Sequence, residues 1–516
     1  MIIILYHNRN KVQKVITQNN DVLSFDTTIT IASVMTELAF KYSYAKIVWC
    51  NINFKGFLNL GEIEKIFHHN KMMLSYCSND LNYLGKMIGY VEESPFIKVN
   101  KKVTFPTWQM NSDVGVIHAS VLLAIKDSIK AGKNLDYFLN SIAKIGMPLG
   151  LLCYSEPRLF NNHDLIIPQK FSNFTLFRFV KQHYKTRWIF LLFLNIFLYE
   201  NQLLVLPVLS SLFYSKRKSK NDLLDKIQPH SLKQTVTTRN VDVIIPTLGR
   251  KKYLYDFLKD LSNQKHLIKK VIIVEQNPDV NSVSELDYLK DENWPFQIKH
   301  IFIHEMGACN ARNLAIAEVD SEWTFMADDD IRIENNFLEE AFLLIEKQGG
   351  EQITFGCYTS NYPKNKKINQ TFQWNAFGSG CSIVKSKNIA QIFYNTKFEF
   401  GFGEDSDFGM QLRNLGFDVL YFPKPEILHL KAPIGGFRIK PVLAWQKDLI
   451  QPKPSPTIML YKILYLTSEQ INGYKTTLFF KYYKSQSIKN PFAYFSTFKK
   501  QWKSSIYWAN ELNKKE

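Results

Sequence analysis

Three consecutive aspartates, Asp328, Asp329 and Asp330, follow directly on an apolar run that covers residues 323–327. Adjacent carboxylates repel one another, and a bound cation relieves that repulsion. Mg²⁺ and Mn²⁺ favour carboxylate oxygens and commonly share their ligand shell with the phosphates of a substrate. The triplet therefore predicts a site for a divalent cation and a diphosphate. A solvated loop whose aspartates cap a helix is the alternative for these three residues taken alone.

A second acidic group, Glu404, Asp405 and Asp407, begins a predicted helix that ends at Gly416. A carboxylate in such a place can take a proton from an attacking hydroxyl group. The helix dipole also favours acidic residues in a first turn, so helix stability alone accounts for some of them. Further on, His429 follows a short predicted strand, where it is either a nitrogen ligand for a metal or an ordinary core or surface histidine.

The elements that must position these residues alternate between buried strands and helices. Strands are predicted for VDVIIPT (241–247), KVIIVEQN (270–277), IKHIFIHE (298–305) and WTFMA (323–327), and helices for 252–264 and 307–319. Runs rich in β-branched residues are typical of buried parallel strands. The alternation predicts a doubly wound sheet, in which ligands bind beyond the carboxyl ends of the strands. The three aspartates lie at such an end.

In this order the residues resemble the family 2 glycosyltransferases of the GT-A fold over residues 240–430. The motifs are Pro246–Thr247, ARN (311–313), the DxD at Asp328 and Asp330, GSG (378–380), and EDSD (404–407) followed by LRNLG (412–416). Each motif is weak by itself, but five in the family's order are specific. The resemblance implies an α/β fold with a Rossmann-like, doubly wound mixed sheet, and transfer of a sugar from a nucleotide-diphospho-sugar donor.

The resemblance also implies which residues bind the donor. They are Pro246, Thr247, Arg250, Glu275, Arg312, Asp328 and Asp329. Of these, Glu275 would face the base of the nucleotide, where the family usually has an aspartate, so the choice of base stays open. Arg312 would border the diphosphate, and Asp328 would meet the ribose.

The catalytic and metal-binding roles follow from the same resemblance. Asp330 would bind a divalent cation, Mn²⁺ or Mg²⁺, with Asp328 and His429 as further ligands. Asp405, with Glu404 beside it, would be the general base. The cation would stabilise the departing diphosphate while the base removes the proton of the acceptor hydroxyl. One direct displacement inverts the anomeric centre.

Four residues are implied on the acceptor side of the site: Trp374, Gly378, Gly380 and Asp407. Trp374 would stack on an acceptor sugar, or it is simply a core aromatic residue. The resemblance leaves the acceptor open between a glycan and a lipid-linked molecule, because the shape of the pocket, and not a motif, sets that specificity.

A fainter copy of the same pattern occupies the N-terminal half. Residues 46–59, 108–122 and 134–157 parallel the DxD, GSG and EDSD regions in order. In that alignment Asn51 and Asn53 replace the DxD aspartates, and Asn134 and Leu135 replace Glu404 and Asp405. Neutral side chains do not supply the charge that a phosphate-bridging cation needs, so we expect a GT-A-like domain without catalysis. An unrelated α/β domain is the alternative.

The positive charge is concentrated in two regions. The formal charge of the 516 residues is +17, and residues 164–220 and 431–516 carry net charges of +7 and +11. This distribution predicts an anionic partner for both regions. Six cysteines without a CxxC pair fit a reduced, intracellular protein without a zinc site. The apolar start MIIILY (1–6) predicts a first strand and not a signal peptide.

Two apolar runs, residues 187–200 and 203–214, lie within the basic region 178–220. Each is shorter than the roughly 20 residues that cross a bilayer. Their basic flanks favour helices lying in the membrane interface; core helices, or a span through both runs, are the alternatives. The C-terminal tail interleaves aromatic residues with lysines over 479–502, which suits a membrane surface, nucleic acid or packing on the catalytic domain. We favour the membrane, because lipid-linked acceptors are common in this class.

These features predict four regions: a degenerate GT-A-like domain (1–165), a helical apolar and basic linker (166–235), a catalytic GT-A domain (236–436) and a basic aromatic helical tail (437–516). We expect an inverting, metal-dependent glycosyltransferase of cell-surface polysaccharide assembly, peripherally attached to the cytoplasmic face of the membrane, with no nucleic-acid partner. A protein that binds nucleic acid or an anionic surface without transferase activity is the alternative from another class. A nucleotidyltransferase is disfavoured, because no glycine-rich phosphate loop with a lysine is present.

Overall fold

The computed structural model describes residues 1–77, 82–161, 171–217, 220–433 and 441–514. The chain forms two compact units: residues 1–232 with 465–488, and residues 233–464 with 489–516. The predicted boundaries at 165/166 and 436/437 lie outside the described residues, as do residues 218–219 of the basic region 178–220. The predicted linker, residues 166–235, contributes its helices to the first unit.

The first unit alternates strands with helices in its N-terminal part. Its strands are β1 (Ile2–His7), β2 (Val12–Thr17), β3 (Lys46–Asn51), β4 (Met72–Tyr76), β5 (Phe105–Pro106), β6 (Val114–His118) and β7 (Leu152–Ser155). Its helices are α1 (Ile31–Lys41), α2 (Leu60–Ile66), α3 (Ala119–Ile125), α4 (Leu135–Gly146), α5 (Asn173–His183), α6 (Arg187–Glu200) and α7 (Val205–Leu212). All six residues of β1 are buried, which explains the apolar start of the chain.

The second unit has the alternation that the sequence predicts. Its strands are β8 (Val241–Leu248), β9 (Lys270–Gln276), β10 (Gln297–Ile303), β11 (Trp323–Ala327), β12 (Ile331–Arg332), β13 (Gln352–Tyr358), β14 (Phe372–Gln373), β15 (Cys381–Lys385) and β16 (Leu420–His429). Its helices up to residue 414 are α8 (Lys251–Ser262), α9 (Tyr288–Asp291), α10 (Ala308–Ile316), α11 (Phe337–Gln348), α12 (Ser386–Ile389) and α13 (Glu404–Asn414).

A mixed sheet of order β10-β9-β8-β11-β15-β13-β16-β12 forms the frame of the second unit. Strands β10, β9, β8 and β11 are parallel, whereas β15 is antiparallel to both β11 and β13. Ile244, Val274 and Met326 from neighbouring strands pack in one core with Phe408 and Leu412 of α13. Because parallel strands end at the same edge, the residues that follow β8, β9 and β11 come together there.

The sheet of the first unit repeats this plan. Its order is β2-β1-β3-β6-β4-β7-β5, so β1-β3-β6-β4-β7 corresponds to β8-β11-β15-β13-β16. The directions agree as well: β1 and β3 are parallel, β6 is antiparallel to β3 and β4, and β4 and β7 are parallel. The edge differs, since β2 is antiparallel to β1 while β9 is parallel to β8. The predicted fold class, α/β with two mixed sheets, is confirmed.

The helix starts correct the alignment of the two halves by one residue. Helix α13 begins at Glu404 after Gly403, and α4 begins at Leu135 after Asn134, whose side chain accepts a hydrogen bond from the N–H of Tyr137 as an N-cap. Asp136 therefore corresponds to Asp405, and Asn134 is a capping residue. The contacts agree, because Ser379 hydrogen bonds to the carboxylate of Asp405 and the N–H of Ser112 donates to that of Asp136.

The apolar runs 187–200 and 203–214 form helices α6 and α7, as predicted. One side of α6 is buried through Ile189, Leu192 and Ile196, whereas Phe190 and Phe197 are exposed. None of the helices in the described ranges combines the length and the apolar character that crossing a bilayer requires. Glu200, at the end of α6, accepts hydrogen bonds from Tyr90 and Lys86.

The C-terminal region is helical, as predicted, with α14 (Pro456–Tyr465), α15 (Ser468–Tyr483) and α16 (Pro491–Lys514). These helices are divided between the units: α15 belongs to the first unit and α16 to the second. The backbone of α15 approaches Tyr90 at Gly473, where a Cβ atom would overlap the Tyr90 carbonyl. Helix α16 buries Phe498 and Trp502. The tail that the sequence treats as one region therefore serves two cores.

Candidate active site

A cavity of about 530 Å³ opens beyond the carboxyl ends of β8, β9 and β11. Eight of the predicted donor-binding and metal-binding residues line it: Pro246, Thr247, Arg250, Arg312, Asp328, Asp329, Asp330 and His429. The side chains come from loops far apart in the chain. The sheet brings them together because β8 and β11 are neighbouring parallel strands. A cavity of this size suits a ligand of small-molecule dimensions.

Asp329 is buried in the lining of this cavity. One carboxylate oxygen accepts a hydrogen bond from Thr247 Oγ1 at 2.7 Å, and the other accepts one from Arg250 Nη1 at 2.6 Å. Burial raises the pKa of Asp329 to about 6, although Arg250 and Thr247 oppose that shift. The aspartate thus positions Arg250 at the cavity wall, next to the other two carboxylates.

Asp330 is buried in the lining of the cavity and is held from two sides. Its Oδ1 atom lies 3.4 Å from Nε2 of His429, and its Oδ2 atom accepts a hydrogen bond from the N–H of Ala432 at 2.8 Å. Burial acts to raise the pKa of Asp330, but His429, the Ala432 N–H and Arg250 together hold it below its usual value. The hydrogen bond to Asp330 raises the pKa of His429 in turn.

The donor atoms of Asp330 and His429 fit a divalent cation that takes its other ligands from phosphate and water. Mn²⁺ and Mg²⁺ accept carboxylate oxygen, and Mn²⁺ accepts imidazole as well. Within the described part of the chain, no three His, Cys, Asp or Glu side chains are grouped as a complete metal site. A substrate diphosphate commonly supplies further oxygen ligands to such an ion.

Asp328 pairs with Arg312 in the lining of the cavity. Arg312 Nη2 lies 3.0 Å from Asp328 Oδ1, and the guanidinium is itself buried in helix α10. The pKa of Arg312 is raised because the pull of Asp328 and its neighbours outweighs the effect of burial. The backbone of Gly380 packs so closely on Asp328 that a Cβ atom there would overlap the carboxylate. The absence of a side chain at Gly380 therefore leaves the space that the carboxylate of Asp328 occupies.

Asp405 and Glu404 lie in the first turn of α13 and are not among the residues that line the cavity. Ser379 hydrogen bonds to Asp405, and Tyr394 donates to Ser379 Oγ at 2.6 Å. Burial raises the pKa of Asp405, while Arg312 and Ser379 oppose the change. Burial and the charge of Asp405 raise the pKa of Glu404 to about 7.

Glu275 lies apart from the cavity lining, although the resemblance places it against the base. Its carboxylate accepts hydrogen bonds from Ser284 Oγ at 2.5 Å and from the N–H of Glu285 at 3.2 Å, and His300 Nε2 lies 2.9 Å away. Burial acts to raise the pKa of Glu275, but these partners hold it below its usual value. A group engaged in this way orders the loop after β9.

The other acceptor-side residues have structural contacts. The ring of Trp374 is half-buried and packs 5.7 Å from the ring of Tyr421. Gly378 donates its N–H to Thr354 Oγ1 at 3.2 Å, and a Cβ atom there would crowd that threonine. Asp407 is buried and accepts a hydrogen bond from Gln411 one turn along α13. None of the three lines the described cavity.

Several cavity residues were missed from the sequence. They are Leu248, Gln276, Met306, Gly307, Ala308, Glu399, Phe400 and Lys431. Glu399 accepts hydrogen bonds from the N–H groups of Cys309 and Asn310 at the start of α10. Gly307, at φ 149°, is so close to Glu399 that a Cβ atom would overlap it. The glycine before the ARN helix was a usable signal for this contact; nothing in the pattern pointed to Phe400 or Lys431.

The class of the second unit is that of an α/β domain with a carboxylate-lined cavity at the strand ends. Residues 242–402 match the sequence model of the family described as Glycosyl transferase family 2. The C-terminal half of the chain therefore contains a family 2 glycosyltransferase domain of GT-A fold. No curated protein matches the chain in sequence.

Solved structures of S. aureus TarS show a distant likeness. The structure of its residues 1–349 with UDP has a TM-score of 0.32 at 16% identity, covering 38% of this chain and 61% of that one. Another structure of S. aureus TarS has a TM-score of 0.34 at 14% identity, covering 46% of this chain and 42% of that one. The structure of TarS residues 1–349 with UDP-GlcNAc has a TM-score of 0.36 at 15% identity, covering 53% of this chain and 80% of that one. This chain covers less than two thirds of the length of the first two of these structures. These scores are too low to bear on the ligands of this chain.

Proposed function

We propose that the protein is an inverting, metal-dependent glycosyltransferase that moves a sugar from a nucleotide-diphospho-sugar to a hydroxyl group of a glycan or lipid-linked acceptor. The observation that carries this proposal is the single cavity where Asp328, Asp330, Arg250, Arg312 and His429 meet. Cations and carboxylates paired with one another in a single cavity suit a diphosphate held together with a divalent ion. The match of residues 242–402 to a glycosyltransferase family supports it.

Arg250, Arg312 and Lys431 are the cations available to the diphosphate side of a donor. Arg250 and Arg312 are fixed by Asp329 and Asp328, and Lys431 lines the same cavity. Preorganised cations stabilise the negative charge that develops on a leaving diphosphate without reorganising during the reaction. Asp330 and His429 would hold Mn²⁺ or Mg²⁺, and the ion would add Lewis-acid stabilisation of the same leaving group.

Asp405 is the base that the site offers to an acceptor hydroxyl. Its raised pKa makes it a stronger base than an ordinary aspartate, and Ser379 orients its carboxylate. As the acceptor oxygen attacks the sugar carbon, its proton passes to Asp405 while the bond to the diphosphate breaks. Attack from the face opposite the leaving group inverts the anomeric centre. Glu404 lies beside Asp405, and its own pKa is raised to about 7. The two carboxyl groups therefore carry less than two negative charges at neutral pH.

The first unit would attach the enzyme to the inner face of a membrane. Leu206 on α7 is 69% exposed and Phe213 just after it is 90% exposed, and Phe190, Phe197 and Leu198 of α6 are exposed too. Apolar groups of this size rarely stand in water without a purpose. Lys185 before α6, Arg187 at its first position and Lys216 after α7 would contact anionic lipid. A lipid-linked acceptor would be met at such a surface.

The decisive test is a panel of nucleotide sugars in a thermal-unfolding assay with Mn²⁺ or Mg²⁺. A donor that binds only the folded state stabilises it by RT ln(1 + L/Kd), where L is the free donor concentration, so the unfolding temperature rises with donor concentration. We expect stabilisation by one nucleotide-diphospho-sugar and its loss in Arg312→Gln. Arg332→Gln is the matched control, because Arg332 pairs with Asp260 and does not line the cavity. Stabilisation unaffected by Arg312→Gln would reject the cavity as the donor site.

A further inference from the structure

A second cavity, of about 670 Å³, lies within the first unit. The loop before α4, the start of α4, helix α5 and the segment after α7 form its walls. Five cations line it, namely Lys130, Lys133, Arg178, Lys216 and Arg217. Asp127 is the one carboxylate among the residues lining it. The cavity is therefore strongly positive, with a formal excess of four charges among the residues that form it.

The two arginines are held in place by tyrosine rings. The guanidinium carbon of Arg178 lies 4.7 Å from the ring centre of Tyr137 and 4.6 Å from that of Tyr214. Arg217 lies 5.4 Å from the same Tyr137 ring. Tyr137 donates its hydroxyl to Gln182 Oε1, which also lines the cavity. Stacking on aromatic faces fixes the planes of both guanidinium groups, so their N–H groups are preorganised.

These arginines lack partners for part of their hydrogen-bonding capacity. Nε of Arg178 and Nη1 of Arg217 are buried nitrogen atoms without a hydrogen-bond partner among the described residues. In the same part of the chain, none of the five cations forms an ion pair with a carboxylate. Burial and the nearby charge of Arg178 lower the pKa of Arg217, against the opposing effect of Tyr137. Concentrated like charge without a counter-charge is unfavourable, and a bound anion relieves it.

We infer that this cavity is a second ligand site, which binds the phosphate or pyrophosphate group of a ligand. Two arginines on one tyrosine ring and lysines at the rim match the charge and the several acceptor oxygens of such a group. Arginine forks pair with phosphate through parallel N–H···O bonds. The volume is that of a small-molecule pocket. The site is separate from the donor cavity of the second unit, and it does not depend on the proposed transfer reaction.

The phosphate has two possible sources, because an apolar helix adjoins the cavity. Leu209, Leu212 and Phe213 are exposed, and the chain runs from them directly into Lys216 and Arg217 of the cavity wall. An amphiphile would place its phosphate among the cations and its chain along α7. A soluble pyrophosphate compound would use the cations alone. The chemistry recognised is the same in both cases.

Pyrophosphate itself is the first probe, titrated calorimetrically into the full-length protein without divalent metal. The variant Lys130→Gln with Lys133→Gln removes two exposed rim charges without disturbing packing, and we expect binding about tenfold weaker. Asp127→Asn removes the opposing charge and should tighten binding. Lys11→Gln with Lys14→Gln is the matched control, since both lysines are exposed and neither lines the cavity.

Arg312→Gln separates this site from the donor cavity: it should weaken only pyrophosphate binding at the donor cavity and leave the binding that depends on Lys130 and Lys133. Vesicles of phosphatidylcholine with and without phosphatidate then identify the source. Retention that needs phosphatidate and is lost in the Lys130/Lys133 variant assigns a lipid phosphate, whereas pyrophosphate binding without such retention assigns a soluble one. The proposal is overturned if the rim variant and Asp127→Asn both bind pyrophosphate as the unaltered chain does, or if Arg312→Gln alone abolishes binding.

Discussion

Nε2 of His429 lies 3.4 Å from Oδ1 of Asp330, although the two residues are 99 positions apart in the sequence. The pairing of β12 with β16 creates this proximity, because Ile331 is opposite His429 in that antiparallel ladder. The ladder holds an imidazole and a carboxylate side by side at the edge of the donor cavity. Both groups are thereby available to one ion.

Asp330→Ala should reduce sugar-nucleotide turnover by about 10²-fold or more, because the charge of the leaving diphosphate loses its main stabilisation. His429→Ala should raise the Mn²⁺ or Mg²⁺ concentration needed for half-maximal rate about tenfold. Asp256→Ala is the control, since Asp256 forms a surface pair with Lys252 and should keep full activity. Turnover in chelator equal to that with metal would contradict the assignment.

Asp405→Asn should keep donor binding but lose transfer by roughly 10²-fold or more, because the amide cannot accept the acceptor proton. Donor affinity is measured by thermal stabilisation and transfer by release of the nucleotide diphosphate in the presence of acceptor. Ser379→Ala should lower kcat by less than Asp405→Asn does, since Ser379 positions the carboxylate and does not itself take the proton. Normal transfer by Asp405→Asn would show that another group is the base.

On acidification, the rate of transfer should begin to fall at a pH above 3.8, which is the usual pKa of an aspartate. The sign follows from the raised pKa of Asp405: the base is protonated, and lost, as pH decreases through that raised value. Glu404→Gln should leave this acid limb in place, because Glu404, with its pKa raised to about 7, is already protonated in the acid range and the amide resembles that neutral form. The measurement is kcat against pH for both proteins. An acid limb that moves to lower pH in Glu404→Gln would show that Glu404 is charged where Asp405 takes up its proton.

Arg250→Ala should destabilise the folded protein by about 3–5 kcal/mol, because it leaves the buried charge of Asp329 uncompensated. A lower Tm and a weaker response to the donor are the expected readouts. Arg239→Ala is the matched control: Arg239 pairs with Glu346 where both are well exposed, and its loss should cost at most about 1 kcal/mol. Equal losses in the two variants would mean that the Arg250 pair is not effectively buried.

Leu206→Glu combined with Phe213→Glu should abolish sedimentation with anionic vesicles and leave Tm unchanged, since both side chains are largely exposed already. Leu267→Glu is the control, because Leu267 of the second unit is 80% exposed and lies outside the apolar helix pair. Retained sedimentation in the double variant would remove α6 and α7 as the membrane contact.

The strand–helix alternation could be predicted because its signals are local. The apolar runs of β8, β9 and β11 form continuous buried strands, and Asp328 necessarily follows the last of them. The start of α13 at Glu404 was equally visible from its glycine and acidic residues. Order along the chain was thus enough to place the aspartates at the ligand edge of a sheet.

The one-residue error between Asp405 and Asp136 has a different origin. In a sequence, a polar residue before a helix looks the same whether it caps the helix or takes part in catalysis. The N-cap hydrogen bond of Asn134, seen only in the structure, shows that this residue is a cap. The surroundings of Glu275 were equally hidden from the sequence, because His300 on the adjacent strand contacts its carboxylate. Contacts between strands decide such questions, and spacing within one strand does not report them.

The amino-acid sequence alone determined the class of the second unit, the positions of its acidic motifs and the repeated plan of the first unit, since each depends on periodicity and on residues close together in the chain. Tertiary structure alone decided which of those residues share a cavity, brought Glu399, Phe400 and Lys431 into it, and assembled Arg178 and Arg217 around Tyr137. Long-range packing sets these neighbours, because side chains far apart in sequence meet only when strands and helices from different regions close on one core.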